Sequence, residues 1–242
     1  MRDSLAPRLR MAIVAPSTNT IVENEMGAMR PHGVANHFAG MLVRNSKVDG
    51  DDAFRQLMKD IRAAMDDAVD NVMTSQPDRL ILGISSESFW GGLEASRQLD
   101  REMQALAGDV PITSAGESIN AALHDIYQVR KVAILTPYMS VGDQEVKRFF
   151  EESGFDVVGM KGLRCTSPTA IAQVAAPQLR QAIIELNTPE ADCIVQLGTN
   201  LPFAKLAGEA EFWLNKPVLA INTVLYWRAL RGSGINDAVH GF

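Results

Sequence analysis

The chain states one α/β pattern twice, and a duplicated pattern of this kind leaves few folds open to it. Arg10-Met11-Ala12-Ile13-Val14-Ala15-Pro16-Ser17 is answered by Lys131-Val132-Ala133-Ile134-Leu135-Thr136-Pro137-Tyr138: a basic residue, a short apolar run, then a Pro-led turn carrying a hydroxyl. A second phrase, Asp78-Arg79-Leu80-Ile81-Leu82-Gly83 followed by serines, pairs with Asp192-Cys193-Ile194-Val195-Gln196-Leu197-Gly198 followed by Thr199 and Asn200. A third, Val110-Pro111-Ile112-Thr113-Ser114, pairs with Pro217-Val218-Leu219-Ala220-Ile221-Asn222. Three matched phrases in one order imply two similar halves, and polar turns at corresponding places imply one site between them.

Short apolar runs bounded by Pro, Gly or Ser alternate with segments of helical period, which is the signature of βαβ units around a parallel sheet. The first half predicts strands over 11–15, 34–43, 80–84 and 110–114, with helices over 20–30, 51–75 and 93–107. The helix over 51–75 rests on the spacing of Phe54, Leu57, Met58, Ile61, Met65, Val69 and Val72. The second half predicts helices over 118–126, 141–153, 169–186 and 203–214 and strands over 132–135, 155–161, 193–197 and 218–221. A last helix, 223–230, is expected to pack back on the first lobe. The expected fold is α/β: two pseudosymmetric doubly wound lobes with parallel four-stranded sheets and the active site between them. The first lobe takes residues 1–116 and 223–242, the second 117–222.

Composition narrows the partners. A length of 242 residues with 46% hydrophobic content suffices for a large core. A net charge of -6 without a Lys/Arg cluster argues against nucleic acid and against anionic membranes, which reward concentrated positive charge. No run approaches the roughly 20 apolar residues of a transmembrane helix, and the first ten residues lack the apolar centre of a signal peptide, so a cytoplasmic protein is expected. Cys165, Cys193 and the histidines His32, His37, His124 and His240 show no metal-ligand spacing, and no structural metal is expected. A homo-oligomer is left open.

In open parallel sheets, ligands sit beyond the carboxyl ends of the strands, which places four turns together: Pro16 to Asn19, Ser85 to Ser88, Thr136 to Tyr138, and Gly198 to Asn200. These turns are rich in glycine and small hydroxyls and open helices, whose free N–H groups favour anions, so the expected ligand is a small carboxylate. Ser85-Ser86-Glu87-Ser88 follows a buried strand and brings hydroxyls and successive N–H groups into one concavity, suited to an oxyanion or enolate. Capping alone accounts for any single serine, and equally for Ser17 or Asn19. The capping explanation weakens because the four turns are matched across a repeat. Asn19 is a candidate amide donor, and Tyr138, opposite Ser17 in the repeat, a candidate proton carrier. Glu87, a carboxylate among anion donors, acts as acid or base only if its pKa is raised; a surface position is the commoner case. Lys205 is expected to face solvent, and Phe89 and Trp90 to form an apolar wall or to pack in the core.

With these turns assembled, the chain resembles the aspartate/glutamate racemase superfamily, in the branch of maleate cis-trans isomerase and arylmalonate decarboxylase. Pro16-Ser17-Thr18-Asn19 continued by Val22-Glu23-Asn24-Glu25-Met26 is similar to the isomerase's substrate-carboxylate turn, and Thr136-Pro137-Tyr138-Met139 to its second-half counterpart. Ser85-Ser86-Glu87-Ser88-Phe89-Trp90-Gly91-Gly92 is similar to the decarboxylase's dioxyanion loop. The resemblance spans nearly the whole chain and implies cofactor-free chemistry at the α-carbon of a small dicarboxylate. It implies that Asn19 and Tyr138 bind the substrate carboxylate; Pro16, Ser17, Thr136 and Asn200, in the same turns, are further candidate substrate-binding residues. It implies further that Ser85, Ser86, Gly198 and Thr199 line the anion site, and that Ser167 lies in a substrate-contacting loop; Ser88, in the turn of Ser85, is a further candidate substrate-binding residue.

The departure from the family is in its thiols. Racemases and the isomerase place one cysteine in each half, and the decarboxylase keeps the second; here those slots hold Ser85 and Gly198. A serine hydroxyl supplies almost no anion at neutral pH, unlike a thiol of pKa about 8.5. Cys193 falls inside a strand, and Cys165 is an outside candidate for a displaced thiol. The leading expectation is decarboxylation or cis-trans isomerisation through an enediolate or carbanion, with Ser85, Tyr138 or Glu87 moving the proton. The alternatives are a hydrolase or lyase using Ser85 or Ser86 as nucleophile, for which no histidine is placed as activator, and a non-catalytic carboxylate-binding protein. Restoring a thiol with Gly198→Cys is expected to create a reactive cysteine.

Overall fold

The computed structural model describes residues 4–239 and residue 241; His240 lies outside the described residues. The first sheet has β1 (Leu9–Pro16), β2 (Val34–Met41), β3 (Arg79–Leu82) and β4 (Ile112–Thr113), in the order β2-β1-β3-β4. The second has β5 (Lys131–Thr136), β6 (Asp156–Gly162), β7 (Cys193–Gln196) and β8 (Val218–Ala220), in the matching order β6-β5-β7-β8. Every pairing is parallel. The inner strands β3 and β7 are buried at every position, which is why they read as unbroken apolar runs rather than alternating ones.

The matched phrases have a common structural cause. Asp78, just before β3, donates its N–H to the Arg10 carbonyl and accepts the Arg10 N–H on its carboxylate at 2.8 Å. Asp192, just before β7, does the same for Lys131, again at 2.8 Å. In each half an aspartate therefore pins the start of the neighbouring central strand and fixes its register.

Helices follow as α1 (Ile21–Ala28), α2 (Asp51–Met73), α3 (Ser86–Phe89), α4 (Gly92–Ala107), α5 (Ala115–Ala121), α6 (Ser140–Glu152), α7 (Pro168–Ala172), α8 (Ala176–Leu186), α9 (Ala204–Leu214) and α10 (Ile221–Gly232). Two expectations are corrected. The single helix over 169–186 is two, because Pro177 lacks an N–H and its ring excludes a helical turn upstream; it sits in the first turn of α8, where neither matters. The connecting helix begins earlier, with Ser114 accepting the Glu117 N–H as its cap, and passes into a π-helical turn, Ala122–Tyr127, stopped by Gln128 at φ +52°.

α10 leaves β8 and lies against α1, α5, β3 and β4, so the end of the chain joins the first sheet's surroundings to the second's. One hydrophobic core runs through both halves, from Met11 and Ile81 to Phe149, Val195 and Leu219, and a smaller one lies under α8 and α9. Phe89 of α3 stacks edge-on against Phe149 of α6 at 4.9 Å, one of the contacts that tie the halves together. Among the described residues no helix is long and apolar enough to cross a membrane.

Candidate active site

A narrow cleft, about 60 Å³ in volume, opens at the carboxyl ends of both sheets. The four turns converge on it. Pro16 ends β1, and Thr18 and Asn19 follow it; Ile84, Ser85 and Ser86 follow β3; Tyr138 follows β5; Gly198, Thr199 and Asn200 follow β7.

At its floor the two halves touch through Ser85. Its hydroxyl lies 3.0 Å from the Tyr138 phenol oxygen and accepts the Gly198 N–H at 3.0 Å. Both residues are buried, Ser85 at 1% and Tyr138 at 5% exposure. Burial pushes the phenol's pKa up, only partly offset by the Ser85 hydrogen bond, so Tyr138 keeps its proton across the physiological range. Gly198 donates to Ser85 Oγ, and between the Ser85 and Tyr138 hydroxyls either oxygen can be the donor; when the phenol donates, the serine's own proton is free to meet a ligand. Tyr138 is held from behind: its N–H donates to Thr136 Oγ1, Thr136 Oγ1 donates to Asp143, and Arg164 bonds both Asp143 and the Tyr138 carbonyl.

Ser85 and Gly198 are thus neighbours, and the backbone at Gly198 is itself distinctive. Its φ of +94° belongs to the left-handed region, and a Cβ there would lie 2.5 Å from Pro137 Cγ and 2.6 Å from Pro137 Cδ. Pro137 fills the space a side chain would need. The expectation that Gly198→Cys simply restores a thiol is therefore corrected: the backbone is shaped for glycine and presents an N–H instead.

The polar residues divide into those free to meet a ligand and those already engaged. Asn19 accepts the Ile21 and Val22 N–H groups on Oδ1, capping α1, and donates from Nδ2 to Thr199 Oγ1 at 3.1 Å, leaving one amide hydrogen. Thr199 Oγ1 donates onward to the Gly83 carbonyl. The Asn200 amide is engaged at both ends: Nδ2 donates to Thr18 O and Pro168 O, and Oδ1 accepts the Thr20 N–H. The backbone N–H groups of Ser85, Ser86, Thr199 and Asn200, all on cleft-lining residues, have no acceptor among the described residues.

Other expected site residues have structural partners. Ser17 exchanges hydrogen bonds with Val43, Thr136 serves Asp143, Ser88 donates to the Ile84 carbonyl, and Ser167 caps α7 by accepting the Ala170 N–H. Glu87 faces away from the cleft into an outer cavity with Arg55, Lys59, Arg62 and Trp90. Desolvation raises its pKa to about 7, and Oε2 is buried without a hydrogen-bond partner among the described residues. Lys205 is exposed, Phe89 is in the core, and Trp90 packs on Phe54 at 6.0 Å. Neither cysteine lines the cleft: Cys193 is buried in β7, and burial pushes the Cys165 thiol up to about 11.

Apolar side chains line the same cleft, several of them from the helix that the sequence marks by its apolar spacing. Phe54, Leu57, Met58 and Ile61 of α2 line the cleft, joined by Val43, Ile84 and Ile171. Their helical spacing was visible, but a face that packs on a sheet and a face that walls a cleft have one periodicity. Among the described residues no three His, Cys, Asp or Glu side chains are grouped as a metal site requires.

Known proteins are similar to this chain over nearly their whole length. The chain is 25% identical to a maleate isomerase of Nocardia farcinica over 244 residues, covering 96% of this chain and 93% of that protein. It is 23% identical to a maleate isomerase of Pseudomonas putida over 248 residues, covering 96% and 94%. A mutant of the Nocardia farcinica maleate cis-trans isomerase with a covalently bound succinylcysteine intermediate superposes with a TM-score of 0.87 at 22% identity, covering 96% and 95%. A crystal structure of arylmalonate decarboxylase superposes with a TM-score of 0.73 at 20% identity, covering 96% of each chain. Residues 13–242 match the family described as Amdase, arylmalonate decarboxylase, and the chain belongs to that family.

Proposed function

We propose that the protein is a cofactor-independent enzyme that decarboxylates a small malonate-type dicarboxylate bearing an apolar substituent, through an enediolate, without a thiol. The observation that carries the reading is that buried Ser85 and Tyr138 and unengaged N–H donors share one cleft with a set of apolar side chains.

One substrate carboxylate meets the N–H groups of Ser85, Ser86, Thr199 and Asn200 and the spare Asn19 amide hydrogen. The second lies against Val43, Leu57 and Ile171, which offer no hydrogen bond, so its charge is poorly solvated there. Leaving as neutral CO2 relieves that cost. The Cα–carboxyl bond breaks, its electron pair stays on Cα and spreads into the retained carboxylate, and the donors hold the resulting enediolate. Cα takes a proton from the Ser85 hydroxyl, Tyr138 replaces it, and solvent reprotonates the phenol, so one solvent proton enters per turnover. The phenol's raised pKa suits a donor to a strongly basic carbanion.

Cis-trans isomerisation is the second reading, favoured by the likeness to maleate isomerases. The relative with a covalently bound succinylcysteine forms a bond through cysteine, and no cysteine lines this cleft. That contrast favours decarboxylation. A serine hydrolase receives no support, since among the described residues no histidine lines the cleft to activate Ser85.

Proton NMR in D2O with phenylmalonate, methylmalonate and maleate tests the reading. The expected result is a monocarboxylate carrying one deuterium at the α-carbon from a malonate. Conversion of maleate to fumarate alone would replace decarboxylation by isomerisation, and line broadening without reaction would leave a binding protein.

A further inference from the structure

Glu25 belongs to the phrase that follows the first polar turn, yet it does not line the cleft. Its carboxylate leaves α1 and reaches into the other half of the molecule. Oε1 accepts the N–H groups of Phe203 and Ala204, at the start of α9, both at 2.8 Å. Oε2 accepts from Asn222 Nδ2 of α10 at 2.7 Å. Asn222 Nδ2 donates its other hydrogen to the Thr199 carbonyl at 2.9 Å.

That last bond bears on the cleft through peptide geometry. The Thr199 carbonyl and the Asn200 N–H belong to one planar trans peptide and point in opposite directions. Drawing the carbonyl towards Asn222 therefore aims the Asn200 N–H away from Asn222. Asn222 is itself oriented by two acceptors, Glu25 and Thr199, for its Oδ1 is buried with no hydrogen-bond partner among the described residues. An amide with an idle acceptor and a doubly used donor is fixed by what it donates to.

We propose that Glu25 is a positioning residue: through Asn222 it sets the Thr199–Asn200 peptide, and so aims a backbone donor at the substrate carboxylate. The role rests on the reading of the cleft as a carboxylate-decarboxylating site. Glu25 offers only acceptors in this geometry, and burial raises its pKa, with the Asn222, Ala204 and Phe203 donors opposing that shift. In Glu25→Gln the new NH2 group faces the Asn222 NH2 group, and the conflict is relieved by turning the Asn222 amide over. The turned amide gives Oδ1 to the introduced NH2 group and withdraws its donor from Thr199. The α9 cap survives on the remaining oxygen, so the substitution cuts the link to the cleft more than the link between lobes.

The test measures turnover of phenylmalonate together with amide exchange of Gly198 and Leu201, whose N–H groups are bonded to Ser85 and to the Gly198 carbonyl. For Glu25→Gln the expected results are a fall in kcat of about tenfold or more, KM within about threefold, and exchange of both amides accelerated by about tenfold, because a donor aimed at developing charge acts mainly on the transition state. Asn222→Ala, which keeps the Glu25 cap on α9, should give the same pattern if Glu25→Gln does not fold. Glu23→Gln, on the exposed side of α1, should change neither readout. Unchanged exchange in a folded Glu25→Gln or Asn222→Ala protein overturns the coupling, and faster exchange with unchanged kcat overturns its role in the reaction. If the wild type turns over no dicarboxylate, the assigned activity falls and with it the catalytic role, whereas the exchange result still decides whether Glu25 orders the loop.

Discussion

Gly198→Ala adds one methyl group at the point where the two halves meet, and the structure gives two separate costs for it. The first is conformational: a φ of +94° disfavours any residue with a Cβ, by about 1–2 kcal/mol. The second is steric: the new Cβ would stand 2.5 Å from Pro137 Cγ and 2.6 Å from Cδ, and overpacking of this kind costs about 1–3 kcal/mol. The sum, about 2–5 kcal/mol, is a large share of the roughly 5–15 kcal/mol that holds a folded protein together. Urea unfolding followed by circular dichroism measures it. Gly198→Ala combined with Pro137→Ala should recover the steric part and leave the conformational part, so about half the loss should return. A Gly198→Ala protein within about 0.5 kcal/mol of wild type would refute the assignment of this position to glycine. Gly198→Cys carries the same costs, so it should be destabilised as well and should not behave as a restored thiol enzyme.

Tyr138→Phe removes the phenol hydroxyl and keeps the ring, which packs on Phe54 at 5.5 Å. Stability should fall by about 1 kcal/mol or less, since one buried hydrogen bond is lost. Turnover of phenylmalonate should fall by about 10²–10⁴-fold, as expected for a lost general acid; unchanged turnover in a folded variant would remove Tyr138 from the proton path. Glu87 gives a pH prediction of definite sign. Its pKa is raised by burial to about 7 in the folded protein against about 4.3 unfolded, so between those values the folded state binds more protons. Stability should therefore decline as pH rises through that window and level off above it, with Asp100, raised to about 6, adding in the same direction. Glu87→Gln should flatten the decline in melts at pH 5 and pH 8 by at most about 2–3 kcal/mol while leaving kcat unchanged, because Glu87 faces the outer cavity. An unaltered pH dependence would show that the carboxyl is solvated, and a collapse of kcat would return it to the reaction.

The fold was legible because its cause is repetitive: the Asp-led strands, the Pro-led turns and the alternation with helices appear twice, and each copy supports the other. The convergence of the four turns followed from topology alone. Local punctuation was read less well. Pro177 lies within an otherwise helical pattern and splits it, and the π-helical turn after Ala121 has no periodic signature of its own. Within the site, sequence reading could not tell a side chain that lines the cleft from one that builds it. Asn19, Ser85, Thr199 and Asn200 all carry polar groups in the right turns, yet the Asn200 amide is spent on Thr18, Thr20 and Pro168. Glu87 follows Ser86 directly, but the short α3 helix turns it outward. The α2 wall and the Glu25–Asn222 link depend on contacts between residues far apart in sequence, and no local pattern encodes them.

Chemistry without a thiol is tested most directly by the double variant Cys165→Ala/Cys193→Ala. Its decarboxylation of phenylmalonate should be measured beside wild type, at a temperature where melting curves show both fully folded. The expected kcat/KM lies within about threefold of wild type, since neither sulfur lines the cleft. A loss of about a hundredfold or more from the folded, cysteine-free protein would contradict thiol-free decarboxylation and place a thiol in the mechanism.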